Sequence, residues 1–204
     1  MPVGVPKVPF LMRGDEDTSW SDLYNVIYRT RLLFLGEEIT SENSNDVIGL
    51  MIFLSVENPK RDIHMYINSP GGDMLAGLAI YDIMQFVEPA VHTLCVGTAA
   101  SMASLLLIGG QITKREAFPH ARIMVHQPLS GPFKESAGNT MQDVFELMKL
   151  RETVIETIIQ RSGKPLEHIL EALDRDSYLT PEEAQDYGII DKIADSNSIL
   201  LTKS

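Results

Sequence analysis

Ile63-His-Met-Tyr-Ile-Asn-Ser-Pro-Gly-Gly-Asp-Met-Leu-Ala-Gly-Leu-Ala-Ile-Tyr-Asp-Ile-Met-Gln-Phe86 and, five residues on, Val91-His-Thr-Leu-Cys-Val-Gly-Thr-Ala-Ala-Ser-Met-Ala-Ser-Leu-Leu-Leu-Ile108 are written to one plan. In the first, residues 63–67 carry a short strand pattern, Asn68 to Gly72 a tight turn, and Asp73 to Phe86 apolar residues at helical spacing. In the second, Val91 to Val96 reads as a strand, Gly97 to Ala100 as a turn of small residues, and Ser101 to Ile108 as an apolar helix. With Arg122 to Val125 as a further strand, the repeat predicts parallel strands joined by right-handed helical crossovers, an α/β fold of strand-turn-helix units.

Working outward, residues 23–54 read as a short helix, a strand around Leu32 to Leu35 and a second helix through Val47 to Leu54. Residues 1–20, rich in Pro, Gly and charge and without a sustained period, are expected to be a mobile arm. On the other side, Met141, Val144, Phe145, Met148, Ile155, Ile158 and Ile159 form a helical stripe over about residues 136–160. Gly163 ends it and Pro165 opens the next helix. Thr180-Pro-Glu-Glu183 reads as a capping box with proline at the first helical position, and Gly188 as the stop. One domain over residues 21–195 follows, with 196–204 as a flexible tail.

Composition narrows the function classes. A chain of 204 residues, 44% of them hydrophobic, can bury a substantial core. Its net charge of -11 and the lack of any basic run disfavour nucleic acid as a partner. Cys95 is the only cysteine, so neither an intramolecular disulfide nor a cysteine metal cluster is predicted, and no histidine pair has a persuasive metal-ligand spacing. The opening residues lack the features of an import signal, and no apolar run approaches the roughly 20 residues needed to span a bilayer. No membrane role is expected.

The chain does supply, in order, Ser101, His126 and Asp176. A serine hydroxyl becomes a nucleophile when an imidazole takes its proton and a carboxylate fixes the imidazole's tautomer. Ser101 falls where a strand-turn-helix unit starts its helix, and the positive helix end favours a developing oxyanion there. Taken alone, the segment equally allows Ser101 to be a helix cap and Ser104 an ordinary polar residue. His126 closes a strand before Gln127-Pro128, at the carboxyl edge where sites on α/β sheets lie. His64, His92, His120 and His168 compete with it as structural residues. Asp176 is hard to single out among Asp174, Asp186 and Asp191. The order Ser, His, Asp matches neither chymotrypsin-like enzymes nor subtilisins nor α/β-hydrolases.

Tyr66-Ile-Asn-Ser-Pro-Gly-Gly72, Ile80-Tyr-Asp-Ile-Met-Gln-Phe86, Ala99-Ala-Ser-Met-Ala103, Met124-Val-His-Gln-Pro128 and Tyr187-Gly-Ile-Ile-Asp191 together resemble the proteolytic subunit of the Clp protease, over nearly the whole chain. Met1-Pro-Val-Gly-Val-Pro-Lys-Val-Pro-Phe10 resembles the plastid-encoded form, which implies a chloroplast stromal protein. The resemblance implies the fold shared with crotonases and an ATP-dependent serine endopeptidase. It selects Ser101 as nucleophile, His126 as base and, through Arg175-Asp-Ser-Tyr-Leu179, Asp176 as its orienting carboxylate. It implies an oxyanion hole from the backbone N–H groups of Gly72 and Met102. The helix over about 136–160 would be a handle joining two stacked seven-membered rings of homologous subunits, with Asp174 and Arg175 in the ring-to-ring contact. Tyr66, Phe86 and Leu94 match positions of the docking pocket for an AAA+ unfoldase, although His64 stands where many relatives carry an aromatic residue. Core packing serves equally for those three. The arm at 1–20 would border the axial entrance.

No Walker A sequence is present, so ATP is expected to bind only the unfoldase partner, and hydrolysis of unfolded chains is expected to need no cofactor. Two rivals stand beside this reading. One is a catalytically silent ring subunit of the same complex, which the complete triad disfavours. The other is a crotonase-type acyl-CoA enzyme, which shares the fold and an oxyanion turn after a strand.

Overall fold

In the computed structural model of the chain, which describes residues 4–10, 19–125, 137–173 and 178–195, regular structure begins earlier than the sequence suggests. Lys7–Phe10 (β1) pairs antiparallel with Ser19–Asp22 (β2), so the expected arm carries a two-stranded ribbon that crosses the boundary drawn at residue 20. Leu23–Arg29 (α1) leads to Leu32–Leu35 (β3), and Ser41–Glu57 (α2) to Ile63–Ser69 (β4). Met74–Phe86 (α3), Val91–Ala100 (β5), Met102–Gly109 (α4), Arg115–Ala117 (β6) and Arg122–Met124 (β7) follow. Ala137–Ser162 (α5), Leu166–Leu173 (α6), Pro181–Asp186 (α7) and Lys192–Ile193 (β8) complete the described elements.

One sheet runs in the order β3-β4-β5-β6-β8, with β7 paired to β5 beyond β6, and every pairing in it is parallel. The α/β reading holds, and a helix separates each of β3, β4, β5 and β6 from the next. Parallel strands are covered on both faces and read as apolar runs. In β4, Ile63, Met65 and Ile67 point into the core while His64 and Tyr66 are half-buried on the opposite face. α4 is buried all round, and Leu105, Leu106, Leu107 and Ile108 have almost no exposure. Full burial of each such side chain contributes about 1.5–3 kcal/mol, so this helix and the strand before it are anchored by the core itself.

The capping signals act as the sequence implies. Thr180 Oγ1 accepts from Glu183 N–H at 3.3 Å, and Glu183 Oε2 accepts from Thr180 N–H at 2.8 Å. α2 has an equivalent box between Thr40 and Asn43. Gly163 and Gly188 take φ of 67° and 71° after α5 and α7, the left-handed conformation that ends a helix.

Two differences bear on function. Gly97 to Ala100, expected to be a turn, is strand: β5 continues to Ala100 beside β7. Ala99 and Ala100 are small because they are buried, while Gly97 lets the strand bend at φ 92° without leaving the sheet. The helix that follows begins at Met102, so Ser101 is its N-cap rather than its first residue.

A second buried feature is polar and was not foreseen. Arg115 forms a two-pronged ion pair with Asp191, at 2.9 Å and 2.7 Å, and donates to the carbonyls of Arg161 and Gly188 at 3.0 Å. Arg161, in the last turn of α5, donates to the carbonyls of Gly109 and Gly110 at the end of α4. Together they tie β6, β8, α5 and the far end of α4 into one unit.

Candidate active site

Ser101 sits at the joint between β5 and α4 with φ 55° and ψ -126°, a backbone conformation rare for any residue but glycine. Its own N–H donates to Met124 O at 2.9 Å, extending the β5–β7 ladder by one residue. Its carbonyl accepts from the N–H groups of Ser104 and Leu105, at 3.0 and 3.3 Å, and from Ser104 Oγ at 2.6 Å. The side chain makes no capping hydrogen bond. The simple capping role left open by the sequence is therefore not what the hydroxyl does. A strained strand-to-helix joint that projects a serine hydroxyl is the arrangement by which other folds present a nucleophile.

The glycine turn after β4 lies against this joint. Ser69 Oγ accepts from Gly71 N–H at 3.1 Å; Gly71 O accepts from Ile39 N–H at 2.8 Å, and Ile39 O from Asp73 N–H at 2.9 Å. Gly71, at φ 93°, packs so closely that a Cβ there would stand 2.7 Å from Ser101 Cβ and 3.1 Å from Met102 N. Gly72, at φ 150°, has no room for a Cβ because the backbone of Ile39 fills that space. Only glycine fits either position. Among the described residues no carbonyl accepts from the N–H of Gly72 or of Met102. The N–H groups of Gly72 and Met102, without a backbone acceptor among the described residues, thus lie on the two segments that meet at Ser101.

His126 and the stretch Asp174, Arg175 and Asp176 lie outside the described residues. Their neighbours along the chain do not. Met124, two residues before His126, accepts from Ser101. Ile123 pairs in both directions with Leu179, three residues after Asp176: Leu179 N–H donates to Ile123 O at 2.7 Å and Ile123 N–H to Leu179 O at 3.1 Å. The end of β7 is therefore bonded on one side to the serine's segment and on the other to the aspartate's.

Of the residues expected at a docking pocket, Tyr66 and Leu94 lie on the sheet face opposite Ile63, Met65 and Ile67. Tyr66 and Leu94 are register partners across β4 and β5, and the Phe34 ring stacks on Tyr66 at 5.2 Å. Leu94 is buried, whereas Phe86 at the end of α3 is 83% exposed. Beside this row His64 and His92 lie ring against ring at 4.5 Å, and Asp62 Oδ2 accepts from Lys114 at 2.7 Å and meets His92 Nε2 at 2.8 Å. Burial, then the neighbouring His92, pushes the His64 imidazole down to about 4. Cys95 is buried in the sheet, and desolvation pushes its thiol up to about 12, which leaves it inert. Among the described residues no group of three or more His, Cys, Asp or Glu side chains could hold a metal ion, and no helix is long and apolar enough to cross a membrane.

Comparison with known proteins agrees with the motifs. The family model described as Clp protease matches residues 14–197. A protein of Lactuca sativa is 57% identical over 195 residues, covering 95% of this chain and 99% of its own. Proteins of Eucalyptus globulus subsp. globulus and Nicotiana tabacum are each 55% identical over 194 residues, with the same shares covered. All three are named ATP-dependent Clp protease proteolytic subunit.

Proposed function

Because the chain belongs to the Clp protease family, we propose that it is a serine endopeptidase subunit in which Ser101, His126 and Asp176 form the triad and the N–H groups of Gly72 and Met102 the oxyanion hole. The observation that carries this is the double anchorage of Ile123 and Met124, hydrogen-bonded to Ser101 on one side and to Leu179 on the other. Ser101 Oγ attacks the peptide carbonyl while His126 takes the hydroxyl proton. The carbonyl oxygen, now negative, is held by the two backbone donors, each contributing roughly 3–4 kcal/mol to the transition state. His126 passes its proton to the leaving amine, and a water molecule activated by the same imidazole releases the acyl group from Ser101. Asp176 holds the imidazole in the required tautomer and stabilises its charged form without taking the proton.

The same reading extends to the assembly. Val144, Phe145 and Met148 on α5 are exposed apolar side chains, which supports a handle that meets a second ring; Asp174 and Arg175 would supply a further ring-to-ring contact. Exposed Phe86 and the Phe34–Tyr66 stack support docking of an AAA+ unfoldase near Tyr66, Phe86 and Leu94. That partner would bind the ATP and deliver unfolded chains. The plastid-like opening, together with the flowering-plant relatives, favours the chloroplast stroma.

Labelling of the native assembly with a fluorophosphonate, with mass spectrometry to locate the adduct, tests the chemistry. An adduct on Ser101, absent from Ser101→Ala, is the expected result. An intact assembly that labels its other subunits but not this one would make the chain a silent ring member.

A further inference from the structure

The β4–β5 ladder changes register just before the site. Ile67 is paired with Cys95, but Ser69 with Ala99, so β5 holds two more residues than β4 between those pairs. Carrying the first register forward would set Gly71 opposite Ala99. The shifted register sets it opposite Ser101, where a Cβ on Gly71 would be 2.7 Å from Ser101 Cβ. The meeting of the oxyanion turn with the serine is thus a product of the bulge.

One side chain occupies that bulge. Asn68, the single β4 residue between the two pairs, accepts at Oδ1 from Thr98 N–H at 3.1 Å, in place of the strand carbonyl that the longer β5 has outrun. Gly97 turns under it at φ 92°, with the site of its absent Cβ 2.7 Å from Asn68 Oδ1. Bulges of this kind bend a strand and re-aim the side chains beyond them. Here the residue re-aimed is Ser101, three positions past Thr98.

We infer that Asn68 is a positioning residue for the reaction: its carboxamide oxygen pins the bulge at Gly97-Thr98 and so fixes Ser101 against the Gly72 N–H. It acts through the backbone of β5 and touches no reacting atom. The inference rests on Ser101 being the nucleophile. Because the Asn68 side chain is exposed, its removal strips no core contact, and the effect should fall on turnover rather than folding.

The test compares Asn68→Ala, Asn68→Asp and Ser101→Ala in the assembled protein, with a fluorogenic peptide and a fluorophosphonate. Misplacement of a reacting group by a fraction of an ångström to an ångström lowers rate by up to about 100-fold, so Asn68→Ala should lose about 10- to 100-fold in kcat with KM changed by less than about twofold. Asp keeps the acceptor oxygen and should recover turnover to within about threefold of the parent. Parent-like kcat in Asn68→Ala overturns the inference, as does an Asp variant no better than the Ala one. So does a loss that disappears on cooling the assay, which would be unfolding. Labelling that survives Ser101→Ala overturns the nucleophile instead, whatever Asn68 does.

Discussion

At Ser101 the backbone is held where a β-carbon is disfavoured, a conformation costing of order 1–3 kcal/mol that persists only if its surroundings impose it. They do so through four hydrogen bonds: one from its N–H to Met124, and three onto its carbonyl from Ser104 and Leu105. Gly72 is constrained from the other side. Any side chain there would be strained at φ 150° and would meet the Ile39 backbone, which cannot yield without giving up its own bonds to Gly71 and Asp73. Gly72→Val should therefore swing its N–H away and reduce kcat by about 100- to 1,000-fold, the effect of losing one oxyanion donor. Steady-state kinetics on a short peptide would check it, and full turnover would rule Gly72 out. From its own segment Ser101 could equally have been a helix cap; what singled it out was the resemblance carried by Ala99-Ala-Ser-Met-Ala103 together with the other motifs. Its conformation was not legible, since that is imposed by Met124 and Ser104 from outside the turn.

Elements were readable where burial wrote a period into them. β4 and α3 alternate and repeat as their faces demand, and the glycines between them had to be a turn. Gly97 to Ala100 look like turn formers; the pairing that keeps Thr98 to Ala100 extended comes from β7, distant in sequence, while Gly97 just before it sits at φ 92°. β6 and β8, with three and two residues, are too short to show a period and exist because Arg115 and Asp191 join them. Charged residues leave no apolar pattern, so Arg161 was equally invisible, yet it satisfies the last carbonyls of α4 and sets a positive charge at that helix's negative end. Arg161→Met should lower stability by about 2 kcal/mol, as expected for charge-assisted bonds lost from a partly buried site, measured by urea denaturation. On the opposite face of the sheet, His64 faces His92, Asp62, Lys114 and Glu116. Its imidazole is pushed down to about 4, from about 6.5 in the unfolded chain. Between those values the unfolded chain binds more protons, so stability rises with pH and falls on acidification from about 6.5 toward about 4. Burial alone would raise the Asp62 carboxyl, but hydrogen bonds from Lys114 and His92 hold it below its ordinary value, adding a loss at lower pH still. Melting followed over this range should show a shallower acid slope in His64→Phe; an unchanged slope would assign the effect elsewhere.

For the whole molecule, α5 is the longest of the described helices. At 26 residues it extends about 39 Å, and among its described side chains the buried ones, Val154 and Ile158, lie in the C-terminal half against the core. Two turns earlier, Val144, Phe145 and Met148 present apolar surface to solvent, with Phe145 57% exposed. A second apolar face lies on α2, where Ile52, Phe53 and Val56 are exposed on neighbouring turns, Val56 at 81%. A chain of net charge -11 gains nothing in solubility from such patches, and patches of this kind mark contact surfaces. Their positions separate two kinds of contact, because α2 packs on the body beside α3 while Val144, Phe145 and Met148 lie along α5 away from Val154 and Ile158, which face the core. If α5 joins rings and α2 joins neighbours within a ring, then Phe145→Glu with Met148→Glu should convert double rings to single rings, whereas Phe53→Glu with Val56→Glu should prevent rings from forming. Sedimentation velocity distinguishes these products by mass, and far-ultraviolet circular dichroism confirms that each subunit is folded. Peptidase activity should fall in the α5 variant even though no site residue has changed, because the chain leaves α5 for α6 and, within a few residues, passes through Asp176. Double rings that survive the α5 changes would show that the exposed stripe serves another partner, and single rings with undiminished activity would show that the site is complete without its second ring.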